Sequence, residues 1–316
     1  MIQPAQSHYR AVVISPHLDD AVFSCGGAIA QLAREGPVLV LNINTRYLAN
    51  LKNRGIVMTD DRYKEEADAA AYLGYESHRL DELDALFRRP AYASIANIFR
   101  PPVAEDLAWL PELRERLFGV LAGIRFDHLF VPMGMGWHAD HVLAHAVFEP
   151  WIGRPELVFY EDAPYCWIPH AARYRLTELA RFERAASDAS LADAGGWQSW
   201  REASSAYAQT ALMKNLKPAV VRWGAVPVVS IYLYRLMAQH RRGWAGAAPT
   251  LRLRPLVRVI DAELDTKLKA MTLYTTQFRE FFSSVQECRD SMQAYAGQFA
   301  PGARAVERCW VADARA

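Results

Sequence analysis

Short apolar runs alternate with helical patterns along the first half of the chain. Residues 11–14 and 38–41 are continuous aliphatic runs, which are typical of buried strands. Residues 28–32 and 60–73 have helical composition, and the second of these helices is predicted to end at Gly74. Strands that alternate with helices predict βαβ units and a parallel sheet.

The same alternation continues to about residue 165. An extended piece near residue 79, a helix over 111–121 and a buried strand over 129–132 follow in order. We therefore predict an α/β fold with a doubly wound, mostly parallel sheet flanked by helices, similar to a Rossmann fold, with a C-terminal extension. In such sheets ligands bind beyond the carboxyl ends of the strands.

The second half of the chain has a weaker pattern. Helices are predicted over 188–213 and 261–282, and a strand pair within 251–259. We assign residues 1–170 to a Rossmann-like, metal-binding catalytic core. Residues 171–316 are predicted to complete that core and the substrate pocket as part of one continuous domain.

Composition and charge exclude several classes of protein. Hydrophobic residues make up 52% of the chain, which is enough for a large core. The 36 basic and 35 acidic residues give a formal charge of +1, so we expect no nucleic-acid partner. The four cysteines form no CxxC pair, and no secretory signal is evident, so we expect a cytoplasmic protein without a disulfide framework.

Two polar segments directly follow predicted strands. His17 and Asp20 lie in the first segment, and His141 lies in the second. A catalytic zinc site takes three ligands of these types and leaves a position for water. We predict that His17, Asp20 and His141 bind Zn²⁺, with Fe²⁺ as the alternative metal.

The remaining acid and histidine side chains of these segments suit catalytic roles. Asp19 could act as the general base for a zinc-activated water. A protonated His138 could stabilise the oxyanion or protonate the leaving amine, with Asp140 orienting it. The simpler interpretation is that Asp19 or Asp20 caps a helix and that the histidines are ordinary helix residues. Two His/Asp clusters after predicted strands favour the metal site.

These segments resemble the signatures of the PIG-L (LmbE-like) family of zinc-dependent N-deacetylases. The family's strand, His-Pro-Asp-Asp-Glu segment and Gly-Gly pair are similar to residues 11–21 with 26–27, and its His-x-Asp-His motif is similar to 138–141. Leu18 and Ala21 depart from the family's proline and glutamate, but no predicted ligand is lost.

The resemblance implies the same metal ligands, the same base and the same roles for His138 and Asp140. It also implies that Arg62 and Asp84 contact the substrate, and Tyr165 lies in a later segment that is similar to the family. The alternatives are a surface ion pair from Arg62 to a nearby glutamate, a loop position for Asp84 and simple packing for Tyr165.

The activity that the resemblance implies is removal of an N-acyl group, expected to be acetyl, from an amino sugar. The substrate would be an N-acetylglucosaminyl glycan, a glycolipid or a specialised metabolite. One alternative is an amidase acting on a thiol conjugate or a longer N-acyl group. Another is a metal-binding or sugar-binding module without turnover.

The most apolar stretch of the second half is residues 218–238. Arg222, Pro227 and Arg235 interrupt it, so it does not read as a membrane-spanning helix. A core helix kinked at Pro227 is favoured over an apolar lid or a membrane-surface patch. Residues 243–249 are rich in Gly, Ala and Pro and are predicted to form a loop.

Overall fold

The computed structural model describes residues 4–48, 61–93, 100–179, 196–208, 231 and 253–312. Among the sequence predictions, the loop over 243–249 and all of the apolar stretch 218–238 except Ile231 lie outside the described residues. No described helix is long and apolar enough to cross a membrane.

A seven-stranded sheet with the order β3-β2-β1-β4-β5-β7-β6 forms the centre of the fold. The strands are β1 (His8–Ser15), β2 (Val38–Asn42), β3 (Glu76–Arg79), β4 (Arg125–Pro132), β5 (Leu157–Tyr160), β6 (Leu253–Val259) and β7 (Val306–Ala312). Neighbours among β1 to β5 pair in parallel, whereas β7 is antiparallel to both β5 and β6. The predicted α/β, mostly parallel sheet is confirmed.

Helices cover both faces of this sheet. They are α1 (Asp20–Leu32), α2 (Asp61–Leu73), α3 (Ala85–Arg88), α4 (Ala104–Ala122), α5 (Ala139–Val147), α6 (Ala171–Glu178), α7 (Gly196–Ala208), α8 (Leu264–Leu273), α9 (Thr275–Phe281) and α10 (Val285–Ala296). Side chains of β1 alternate between two buried clusters, with Val13 in one and Val12 and Ile14 in the other. This alternation on a strand buried on both faces explains its continuous apolar pattern.

Several elements differ from the sequence prediction. The helix expected over 111–121 begins at Ala104, with Pro111 inside it. The strand pair expected within 251–259 is one strand, β6, whose partner β7 comes from the end of the described chain. The pattern could not reveal this pairing, because the two strands are about fifty residues apart.

The long helix expected over 261–282 is broken at Tyr274. This residue has a non-helical backbone with φ −82° and ψ 67°, and it separates α8 from α9. Its hydroxyl donates to the buried carboxylate of Glu66, which also accepts hydrogen bonds from Ser77 at 2.5 Å and Tyr75 at 3.2 Å. The contact with Glu66 ties the break between the two helices to α2.

The C-terminal segments pack directly against α1. The Glu307 carboxylate of β7 accepts hydrogen bonds from the backbone N–H groups of Gly27 at 2.7 Å and Ala28 at 2.8 Å. Lys267 of α8 donates to the same carboxylate at 2.7 Å, and both side chains are buried. Residues beyond 170 therefore contribute to the sheet and to the packing of the helix that begins at Asp20. The division of the chain at residue 170 stays a prediction.

Gly27 is a position where α1 and Ile260 approach too closely for a side chain. A Cβ atom there would lie 2.7 Å from Cδ1 of Ile260, whereas one at Gly119 in α4 would meet nothing within 4 Å. We expect Gly27→Ala to lower the free energy of unfolding by about 1–3 kcal/mol through overpacking. Gly119→Ala should raise it by up to about 1 kcal/mol. Chemical denaturation of both variants measures these changes, and an equal change in the free energy of unfolding of the two would contradict the overpacking at Gly27.

Burial raises the pKa of Glu66 to about 7, although its hydroxyl partners lower it. The folded chain therefore keeps a proton that the unfolded chain loses above about pH 4.5, and stability should fall as pH rises toward 7 and then level off. We expect the free energy of unfolding of the wild type to fall by on the order of 2 kcal/mol as pH rises through this range, and Glu66→Gln to lack this fall. Chemical denaturation of both proteins at pH 5, 6, 7 and 8 measures the free energy of unfolding. The same pH dependence in wild type and variant would contradict the raised pKa of Glu66.

Candidate metal centre and active site

The two polar segments identified in the sequence meet beyond the carboxyl ends of β1 and β4. These strands are neighbours at the point where the strand order reverses, because β2 and β3 extend to one side and β5 to the other. Open sheets bind ligands at such a point. His17 follows β1 by two residues, and His138 and His141 follow β4 at the start of α5.

The three predicted metal ligands lie together and are buried. Ligand atoms of His17, Asp20 and His141 are all within 4.8 Å of one another. Oδ2 of Asp20 is 3.0 Å from Nδ1 of His17 and 3.2 Å from Nε2 of His141. Two imidazole nitrogens and one carboxylate oxygen form a donor set that suits Zn²⁺ or Fe²⁺. The residues present therefore fit a metal ion.

A second group of potential ligands overlaps the first. His17, His138 and Asp140 also offer atoms within 4.8 Å of one another. Because His17 belongs to both groups, its imidazole is the shared centre of the cluster. The ring of His17 lies 4.9 Å from that of His138 and 5.4 Å from that of His141.

The turn between β1 and α1 sets the position of Asp20. Oγ of Ser15 donates to the carbonyl of His17 at 2.5 Å and accepts from the N–H of Ala21 at 3.0 Å. The Asp20 carboxylate accepts from the N–H of His17 at 2.9 Å, outside the helix. Asp19 occupies the N-cap position without a side-chain capping hydrogen bond. Helix capping therefore does not account for either carboxylate.

Asp162 holds His141 from the side opposite Asp20. Its Oδ1 is 2.7 Å from Nδ1 of His141, and its Oδ2 accepts from the N–H groups of Gly134 at 2.8 Å and Met135 at 2.9 Å. An imidazole that donates Nδ1–H to a carboxylate presents Nε2 as a free lone pair. The sequence assigned no role to Asp162; its place directly after the strand Leu157–Tyr160 indicated only that it could lie at the ligand-binding edge of the sheet.

Asp19 is buried beside the predicted ligands and pairs with Arg62. Nη2 of Arg62 donates to Oδ1 of Asp19 at 2.9 Å. Burial and the neighbouring charge of Asp20 raise the pKa of Asp19, whereas Arg62 lowers it. The surface ion pair considered for Arg62 is wrong, because its guanidinium is buried on Asp19. The carboxylate of Glu65 instead binds α9.

The Asp140 carboxylate contacts His17 and Arg88. Its Oδ2 is 3.1 Å from Nε2 of His17 and accepts from the N–H of Ala85 at 2.9 Å, while its Oδ1 accepts from Arg88 at 2.6 Å. Burial alone would raise the pKa of Asp140, but Arg88 and His17 outweigh it and hold that pKa well below its usual range. The sequence analysis missed Arg88, since nothing local links residue 88 to this site.

His138 receives its hydrogen bond from the Asp140 backbone. The N–H of Asp140 donates to Nδ1 of His138 at 3.2 Å, so a neutral ring carries its proton on Nε2. Burial and the nearby His17 lower the pKa of His138 well below its usual value. The contact to Nδ1 thus comes from the Asp140 amide and not from its carboxylate, and the lowered pKa of His138 favours the neutral ring over the protonated form considered from the sequence.

The other two predicted substrate contacts lie at the edge of the cluster. Asp84 is buried, caps α3 by accepting from the N–H of Leu86 at 2.9 Å, and places Oδ2 3.6 Å from Nε2 of His17. The ring of Tyr165 meets His141 edge-on at 5.6 Å between centroids. Gly136, with φ 75°, leaves no room for a Cβ against Tyr165.

One family model matches the range that contains the predicted ligands of this site. The PIG-L family model, described as GlcNAc-PI de-N-acetylase, matches residues 12–152. Residues 12–152 form a PIG-L domain. This range contains the three predicted ligands together with Asp19, His138 and Asp140.

A characterised protein is similar to about half of the chain. The chain is 29% identical over 164 residues to the 2'-N-acetylparomamine deacetylase of Streptomyces fradiae. The match covers 49% of this chain and 57% of that protein, so it spans little more than half of the relative's length.

Two solved structures share the fold. The A40926 pseudoaglycone deacetylase superposes with a TM-score of 0.57 at 20% identity, covering 97% of this chain and 98% of its own. The zinc-inhibited form of teicoplanin deacetylase superposes with a TM-score of 0.58 at 19% identity, covering 97% of this chain and 100% of its own. Both similarities extend beyond the PIG-L domain to the C-terminal strands and helices.

The contact between Asp162 and His141 predicts an effect on metal affinity. Asp162→Asn should weaken metal binding about 10–100-fold, because the neutral amide no longer holds the tautomer of His141 or raises its basicity. Competition with a chromogenic chelator measures the affinity. Asp127→Asn, which removes an exposed carboxylate at the opposite end of β4, is the control and should leave it unchanged. Equal affinities in all three proteins would exclude this role for Asp162.

Proposed function

We propose that this protein is a zinc-dependent N-deacetylase that removes an acetyl group from an amino sugar. The observation that carries the proposal is a buried carboxylate, Asp19, beside a cluster of two imidazoles and one carboxylate. The PIG-L domain and the relatives named above, each a deacetylase by its name, support the reaction class. Paromamine, a pseudoaglycone and teicoplanin are named for those proteins, and an amino-sugar substrate is carried over here as part of the proposal.

The metal would be held by His17, Asp20 and His141. A zinc ion there would supply Lewis acidity to the amide carbonyl and lower the pKa of the attacking water. The protein's part is to keep both imidazoles neutral at the ligating nitrogen and to exclude bulk water from the cluster. The contact from Asp162 to Nδ1 of His141 serves the first of these requirements.

Asp19 would accept the proton of the attacking water. A carboxylate whose pKa is raised toward neutral is a better base than a fully exposed one. Arg62 donates to Oδ1 of Asp19 and favours the ionised form of this buried carboxylate. The accepted proton would then be available for the nitrogen of the departing amine.

His138 would stabilise the negative charge that develops on the carbonyl oxygen. Its neutral ring, with Nδ1 engaged by the Asp140 amide, offers Nε2–H as a donor. Preorganised donors of this kind contribute on the order of 3 kcal/mol to transition-state stabilisation. Asp140 acts on the cluster through its carboxylate, which holds the far nitrogen of His17.

Replacement of Asp19 tests the mechanism. Asp19→Asn should lower kcat on the order of 10²–10⁴-fold with metal content unchanged, because the amide cannot accept the proton. Asp290→Asn, at an exposed position on α10, is the control. Acetate release from a panel of N-acetylglucosamine conjugates, before and after chelation, provides the assay together with metal analysis.

Each result of this assay separates the proposal from its alternatives. Chelator-sensitive acetate release that is lost in Asp19→Asn supports the deacetylase. Full turnover by Asp19→Asn would remove Asp19 from the role of base. Bound metal without release from any acetylated sugar would favour an amidase for a thiol conjugate or a longer acyl group, and absence of metal after reconstitution would favour a binding module.

A further inference from the structure

Helix α9 is attached to the helix that carries Arg62. The Glu65 carboxylate of α2 accepts hydrogen bonds from the hydroxyls of Thr275 at 2.6 Å and Thr276 at 2.7 Å, and from the N–H of Thr276 at 3.0 Å. A buried carboxylate that accepts three hydrogen bonds at one helix end fixes that end firmly. The first turn of α9 is therefore held at a defined place beside α2.

The last turn of α9 reaches the edge of the predicted active site. The ring of Phe281 lies 6.0 Å from that of Tyr165 and 6.2 Å from that of Phe23. Tyr165 in turn meets His141 at 5.6 Å. A continuous chain of aromatic contacts thus links the end of α9 to a predicted metal ligand.

Glu280 is the residue before Phe281, and its carboxylate interacts electrostatically with charged residues of the site. It is partly buried, and its electrostatic neighbours are Arg62 and Asp19. Burial raises the pKa of Glu280 to about 6, Arg62 lowers it and Asp19 raises it. Within the described part of the chain, Glu280 accepts no hydrogen bond and forms no ion pair.

A partly buried carboxylate without a protein partner is costly to ionise. Arg62 relieves only part of this cost, because it lowers the pKa of Glu280 without forming an ion pair with it, and its Nη2 donates instead to Oδ1 of Asp19 at 2.9 Å. The neighbouring carboxylate of Asp19 makes the position still more favourable for a cation. An ammonium group has three donors and a positive charge, so it would satisfy Glu280 better than a neutral hydroxyl would.

We propose that Glu280 is a specificity-determining residue that binds a protonated free amine of the substrate, separate from the N-acetyl group that is hydrolysed. This inference rests on the proposed function and narrows its substrate class to amino sugars that carry an additional unacylated amine. Phe281 and Tyr165 form an apolar wall next to this acid, against which the face of a sugar ring can pack.

Two disaccharides that differ in one group test the inference. The first joins N-acetylglucosamine to glucosamine and carries a free amine, and the second joins N-acetylglucosamine to glucose, with a hydroxyl in its place. Glu280→Gln keeps the shape of the side chain and removes its charge. Glu112→Gln removes one charge from an exposed position on α4 and is the matched control.

We expect Glu280→Gln to lower kcat/KM for the amine-bearing disaccharide at least tenfold, chiefly through KM, with less than a twofold change for the neutral one. The control should match the wild type on both disaccharides. An equal loss on the two would overturn the inference, since it would indicate a general effect on the site. Unchanged kinetics on both would overturn it as well.

A binding measurement separates this inference from the proposed function. If the wild type releases acetate from neither disaccharide, the deacetylase proposal fails for these sugars, and calorimetric titration of the intact disaccharides decides the role of Glu280. Tighter binding of the amine-bearing disaccharide that is lost in Glu280→Gln supports the inference. Equal affinity for the two disaccharides overturns it. Matching melting temperatures of wild type and variants confirm that all are folded.

Discussion

The structure depends on the pairing of charges that are buried beyond the sheet edge. Histidine and aspartate side chains gather there in a space from which water is largely excluded, and an unpaired buried charge costs several kcal/mol. Each described acid of the cluster meets a partner: Asp20 lies between two imidazoles, Asp162 binds His141 and two backbone amides, and Asp140 binds Arg88. The pairing fixes the direction of each ligand atom.

These pairings draw on parts of the chain far apart in sequence. Arg62 comes from α2, Arg88 from the end of α3 and Asp162 from the segment after β5. None of them belongs to the two motifs, yet each sets the charge or direction of a motif residue. Because distant residues orient the motif residues, a change in packing far from the motifs can displace a ligand atom. A site built from one loop is less sensitive to such changes.

The C-terminal part of the chain also supports the helices that carry site residues. Glu307 and Lys267 bind the middle of α1, and Glu65 ties α9 to α2, so two of the helices that carry site residues are braced by residues beyond 260. The apolar wall of Phe281 and Tyr165, with Glu280 next to it, lies where the PIG-L domain meets these later segments. By the inference above, Phe281 and Tyr165 would pack against the sugar and Glu280 would bind its free amine.

The local sequence pattern was sufficient to predict the βα units, the parallel sheet and the proximity of His17, Asp20 and His141. Those features depend on side-chain periodicity and on the rule that strands of one sheet end at a common edge. Only the tertiary structure decided the partners of Arg62 and Asp140, the lowered pKa of His138, the break at Tyr274 and the pairing of β6 with β7. Each arises from contacts between residues distant in the chain, where burial and neighbouring charge override local preference.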